Sequence, residues 1–212
     1  MCFDDGPGIR TTVFLQGCNL HCPWCCNPET QLSCEHREVY TEYNFDKIVS
    51  ELLKDRIYWN NSGGVTFSGG EAMLQAKSLV ELCKCLKKEG IHLTLESALF
   101  IERDVIELLI PYIDLWYVDV KVLDVVVCRN VLGGELNLFL NAVQFLASNN
   151  ANIRFRMPCV KEVNMIDGML EKNLAFLREY CQYPVELFGI HDLAREKYRR
   201  MCKDMKTFYH YS

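Results

Sequence analysis

The feature that most constrains the fold is an alternation of two periods along the whole chain. Runs that read as strands, at 12–16, 64–67, 91–96, 115–120, 152–157 and 185–190, are each followed by a stretch with helical spacing. The helical stretches cover 45–59, 73–89, 102–110, 136–148, 166–180 and 194 to about 203. Gly90 stops the second helix as a C-cap glycine does, and Pro111 ends the third. Strands that alternate with helices imply parallel pairing with right-handed crossovers. Six such units fall short of the eight in a closed barrel. The expected fold is therefore α/β: a partial, open parallel (β/α)6 barrel in one domain spanning 1–212. In such folds the chemistry lies at the carboxyl ends of the strands.

A loop follows the first strand and carries Cys18-x3-Cys22-x2-Cys25, three thiols within eight residues. Thiolates are soft ligands that suit zinc or iron–sulfur clusters. Zinc would need a fourth ligand, and Cys26, His21 and Cys34 are near enough in sequence to supply it. A cubane cluster usually takes four cysteines, so three closely spaced ones leave one iron without a protein ligand. Spacing alone leaves both metals open.

Composition narrows the classes. The 212 residues are half hydrophobic, enough for a sizeable core, with a formal net charge of -5. A weakly acidic chain is a poor candidate for backbone-driven nucleic-acid binding. Twelve cysteines lie below the density of a disulfide scaffold, roughly 8–10% of residues, and they fit a reducing cytoplasm. The start has neither a basic segment nor an apolar stretch of signal-peptide type. The most apolar region, 108–127, is broken by Asp114, Asp119, Lys121 and Asp124, which is too polar for a membrane span. A cytoplasmic monomer is expected.

Other strand ends carry further candidates. Ser68-Gly69-Gly70-Glu71 is either a tight turn or a close backbone approach to a ligand. Tyr117, Asp119 and Lys121 share one face at the end of the fourth strand. Two charges on one face of a buried strand need partners, either each other, Glu96, or a ligand. Arg156 and His191 end the fifth and sixth strands.

The sequence around the cysteines reads Asp5-Gly-Pro-Gly-Ile-Arg10-Thr, then Val13-Phe-Leu-Gln-Gly-Cys18, then Cys22-Pro-Trp-Cys25-Cys26-Asn-Pro-Glu29. It closely resembles the radical S-adenosylmethionine (SAM) enzymes, and within them the activating enzymes of glycyl radical enzymes, of the pyruvate formate-lyase activase type. The resemblance recurs at 63–75, 87–97, 114–121, 156–164 and near His191, in the family's order. It implies the same open barrel and a single [4Fe-4S] cluster on Cys18, Cys22 and Cys25, with SAM on the open iron. It implies that Ser68, Gly69, Gly70 and Glu71 receive the methionine amino end and that Lys121 and Arg156 meet the carboxylate. His191 would reach the ribose, and Trp24 and Asn27 would pack on the cofactor side. Glu96, Ser97 and Asp119 would line the site, where the family's acidic residues can hold a monovalent cation.

The implied chemistry is reductive cleavage of SAM to methionine and a 5′-deoxyadenosyl radical, which abstracts hydrogen from a backbone glycine of a partner enzyme. Flavodoxin or ferredoxin is the expected electron donor. A radical SAM enzyme acting on a small molecule or peptide is the nearest alternative, and a redox-sensing iron–sulfur or zinc protein the more distant one. The chain departs from the family's usual sequence in three places. Cys26 stands where the family usually has histidine, Ala98-Leu99 replaces its x-Gly after Glu96-Ser97, and the chain starts three residues before Asp4, where members usually carry a further strand.

Overall fold

The computed structural model describes residues 5–32, 40–60, 62–166, 168–180, 184–190 and 193–201. Six strands form one sheet in the order β1 (Arg10–Leu15), β2 (Gly64–Gly69), β3 (His92–Ser97), β4 (Leu115–Asp119), β5 (Ile153–Cys159) and β6 (Glu186–Gly189). Every neighbouring pair is parallel, so each connection is a crossover. The helices are α1 (Phe45–Lys54), α2 (Arg56–Trp59), α3 (Ala76–Lys88), α4 (Arg103–Leu109), α5 (Val125–Val127), α6 (Leu136–Ser148), α7 (Met169–Arg178) and α8 (Arg195–Arg200). The expected open six-unit barrel is what forms, with β1 and β6 as its two edges.

Register explains the two faces of the sheet. Val65, Phe67, Leu93, Leu95, Trp116, Val118, Phe155 and Met157 point to one side and are fully buried. Each such side chain contributes roughly 1.5–3 kcal/mol of burial. Thr12, Thr66 and Thr94 lie in register on the other side, followed by Ser68, Glu96, Tyr117, Asp119 and Arg156. The interior of the barrel is thus polar, and its upper end is charged.

Arg10 closes the lower end. It is fully buried and donates to Thr66 Oγ1 (2.6 Å), Val65 O (2.7 Å), His92 O (3.1 Å) and Pro7 O (3.1 Å), tying the first three strands together. Burial pushes its pKa down to about 10, which leaves it charged at neutral pH.

Two local differences from the sequence reading have clear causes. The helix expected over 45–59 breaks at Asp55, whose carboxylate accepts from Thr11 Oγ1 (2.7 Å) while Trp59 Nε1 donates to that same hydroxyl (2.9 Å). Between β4 and α6, α5 runs into a π-helical turn (Cys128–Leu132) closed by Gly133 at φ 74°. Among the described residues no helix is long and apolar enough to cross a membrane.

Candidate active site

The cysteine loop leaves the top of β1 and is fastened from several elements. Asn19 Nδ2 donates to Phe100 O (2.6 Å), His21 N to Leu132 O (2.8 Å), and Gln31 Nε2 to Cys22 O (3.2 Å). Gln16 Nε2 reaches Glu29 O (2.9 Å) and Leu32 O (3.1 Å), and Gln75 Nε2 reaches Gln16 O (2.8 Å). So anchored, Cys18, Cys22, Cys25 and Cys26 all line one cavity of about 440 Å³, together with Trp24 and Asn27.

The Gly-Gly-Glu turn after β2 packs directly against that loop. Gly70 N donates to Leu15 O (3.0 Å) and Glu71 N to Gly17 O (2.8 Å). A Cβ on Gly69, which has φ 113°, would lie 2.3 Å from Leu15 N, and one on Gly70 would lie 2.0 Å from Gly17 O. The glycines therefore let backbone meet backbone. Glu71 lines the cavity, yet both its oxygens accept bonds inside the protein. Oε1 accepts from Met73 N (3.2 Å), and Oε2 from Ser97 Oγ (2.8 Å) and Ala98 N (3.3 Å). Burial pushes its pKa up to about 7 despite these bonds.

Opposite stands a chain of charges. Asp119 Oδ2 accepts from Lys121 Nζ at 3.0 Å, and Oδ1 from Arg156 Nε at 3.0 Å. Arg156 Nη1 lies 3.1 Å from Glu96 Oε1, and Glu96 Oε2 accepts from Ser68 Oγ (2.6 Å). The guanidinium also sits over the Tyr117 ring, 4.7 Å from its centroid. Burial works against the charge of Asp119, but Lys121 and Arg156 outweigh it and hold the carboxyl below its usual range. Glu96 has one such cation, and there burial wins and pushes the pKa up. Burial lowers the pKa of Lys121, but Asp119 together with the neighbouring cysteines outweighs that cost and leaves it raised. All four side chains line the same cavity as the cysteines.

The loop after β3 takes a left-handed turn where the family usually has glycine. Leu99 takes up φ 58° itself, fully buried, with its N–H bonded to Ser97 Oγ (2.8 Å). Asn164, at the end of the 156–164 stretch, uses its amide within the protein: Nδ2 donates to Lys121 O (3.0 Å) and Pro158 O (2.7 Å), and Oδ1 accepts from Val160 N (2.8 Å). It staples β4 to β5. His191 lies outside the described residues.

Sequence reasoning passed over Asp5, Phe14 and Phe188 as cavity-lining groups. It also missed Lys197 on α8, which donates to Asn27 Oδ1 (2.7 Å) and Glu29 Oε1 (2.7 Å).

The donor set fits an iron–sulfur cluster. Among the described residues no three histidine, cysteine or carboxylate groups gather around a point that one ion could occupy. The three cysteines line one cavity, the room a cluster would need. Burial pushes Cys22 up to about 12 and Cys25 up to about 11, and a bound metal centre would supply the positive charge that favours their thiolates.

Comparison with known proteins agrees. A family model described as a 4Fe-4S single cluster domain matches residues 4–123. The pyruvate formate-lyase 1-activating enzyme of Escherichia coli is 32% identical over 206 residues, covering 95% of this chain and 82% of the relative. The trans-4-hydroxy-L-proline dehydratase activating enzyme of Clostridioides difficile is 29% identical over 255 residues, covering 94% and 84%. That alignment is longer than this chain, so the relative carries residues inserted relative to it. In fold, the chain is similar to anSMEcpe with bound AdoMet, at a TM-score of 0.65 and 12% identity over 86% of this chain and 51% of the other.

Fold and site together define an open-barrel iron–sulfur protein of the radical SAM type. Within that superfamily, the chain belongs to the activating enzymes of glycyl radical enzymes.

Proposed function

We propose that Cys18, Cys22 and Cys25 hold one [4Fe-4S] cluster, that Lys121, Arg156 and the Ser68–Glu71 turn receive SAM, and that the product radical is placed on a glycine of a partner enzyme. The observation that carries this reading is the convergence of three thiols and two cations on one cavity at the carboxyl ends of the strands. When bound, the cluster and SAM supply a 5′-deoxyadenosyl radical by one-electron reduction.

The side chains have separable tasks. Lys121 and Arg156 offer positive charge to a carboxylate, with Asp119 keeping both oriented. Glu71 holds the Gly-Gly turn to the loop after β3. A monovalent cation at Glu96 and Asp119 would compete with Arg156, which already bridges the two carboxylates. Trp24, Asn27 and Ser97 complete the cavity lining, and His191 is assigned to the ribose by resemblance alone. Flavodoxin or ferredoxin is the proposed electron donor to a monomeric, cytoplasmic enzyme.

The test is electron paramagnetic resonance after anaerobic incubation with SAM, a reductant and candidate glycyl radical enzymes. A persistent glycine-centred doublet on one partner is expected. Stoichiometric modification of a metabolite, with no protein radical, would instead support the small-molecule reading.

A further inference from the structure

The last described helix touches the cysteine loop at three points. Lys197 Nζ donates to Asn27 Oδ1 and to Glu29 Oε1, both at 2.7 Å, across more than 160 residues of sequence. One turn position on, the buried Tyr198 directs its hydroxyl at Pro23 O (3.4 Å). Asn27 in turn donates its backbone N–H to Cys25 Sγ (3.4 Å). A side chain on α8 is therefore two contacts away from one of the three thiols.

From this geometry we infer that Lys197 is a positioning residue for the cluster. It holds Asn27 so that its N–H stays on the Cys25 sulfur, and it neutralises Glu29 beside the loop. The inference rests on the proposed reading of Cys18, Cys22 and Cys25 as cluster ligands. Hydrogen bonds to ligand sulfurs and nearby charge both set the reduction potential of such clusters. Without Lys197, the Glu29 carboxylate would stand uncompensated near the loop. Added negative charge opposes uptake of an electron, so the potential would move to a more negative value.

The test uses the reconstituted, cluster-loaded chain and its Lys197→Met, Lys197→Arg and Glu29→Gln variants. The readouts are the midpoint potential, by spectroscopically monitored redox titration, and the rate of iron loss to a chelator. Lys197 is partly exposed and solvent screens its ion pair, so Lys197→Met should lose iron several-fold faster rather than fail to hold the cluster. Its potential should be more negative than that of the wild type. Lys197→Arg should behave close to the wild type, and Glu29→Gln should move the potential the other way. Lys197 is partly exposed, so these variants should melt near the wild type, and a melting curve checks that. A wild type that holds no cluster overturns the underlying reading and the inference with it. A loaded wild type beside a Lys197→Met variant with unchanged potential and iron retention overturns the inference alone, as do Met and Arg variants that are equally impaired.

Discussion

Ser97 donates its hydroxyl to Glu71 Oε2 at 2.8 Å and accepts the Leu99 N–H at 2.8 Å, so one buried side chain joins the turn after β2 to the loop after β3. Replacing it with alanine strips a bond from a buried carboxylate and leaves a buried N–H unsatisfied. Ser97→Ala should cost about 2 kcal/mol and lower the melting midpoint by roughly 4–8 °C. An unchanged melting curve would mean that the two loops are held by other contacts.

Glu71 makes stability depend on pH in a definite direction. Its carboxyl is raised by burial to about 7 in the fold, above the ordinary 4.5. The native state therefore binds more protons than the unfolded state between those values, and stability is lost as pH rises from about 4.5 to about 7. The loss is on the order of 3 kcal/mol from this group. Glu71→Gln lacks this titration, so its stability relative to the wild type should grow across that window and level off above it. Denaturant unfolding of the cluster-free protein at pH 5 and pH 8 measures the difference. A variant that tracks the wild type at both would show that the carboxyl is not raised.

Leu99 occupies the left-handed region at φ 58° while fully buried. A leucine there carries strain of roughly 1–2 kcal/mol, which glycine does not. Both Leu99→Ala and Leu99→Gly lose a buried side chain and should be destabilised by about 2–5 kcal/mol. Glycine, however, should be the milder of the two by about 0.5–1 kcal/mol, the reverse of the usual order. Urea unfolding midpoints of the two variants decide it, and a less stable glycine variant would contradict the strain.

The strands themselves were readable because apolar residues alternate on a face that helices cover, as at Val65 and Phe67 or Leu93 and Leu95. The pairing of Asp119 with Lys121 was readable from the two-residue period of a strand, although β4 ends at Asp119 and Lys121 lies just past it. The Arg156–Asp119–Glu96 chain was not, because it depends on the register between three strands. The bonding of Glu71 Oε2 was equally hidden, since its partners Ser97 and Ala98 lie 26 and 27 residues away. Leu99 was flagged by its departure from the family's glycine, but the left-handed backbone it adopts became visible only in three dimensions. Lys197 reads as one charge in a basic helix, and its grip on Asn27 exists only in three dimensions.

Lys121 offers a clean separation of binding from structure. Arg156 also holds Asp119, so the carboxylate keeps a partner when Lys121 is removed and the fold should survive. Lys121→Ala should weaken SAM binding to the anaerobic, cluster-loaded protein by about one to two orders of magnitude. Unchanged affinity would reduce Lys121 to a structural partner of Asp119.

The central claim is that three cysteines hold a SAM-cleaving cluster, and iron and product counts on cysteine variants test it most directly. Anaerobically reconstituted protein should contain about four irons per chain and form 5′-deoxyadenosine from SAM when reduced. Serine at Cys18, Cys22 or Cys25 should abolish product, whereas Cys26→Ser should leave both counts intact, although Cys26 lines the same cavity. Zinc held by four protein ligands, or a Cys26→Ser variant as dead as Cys25→Ser, would contradict the account.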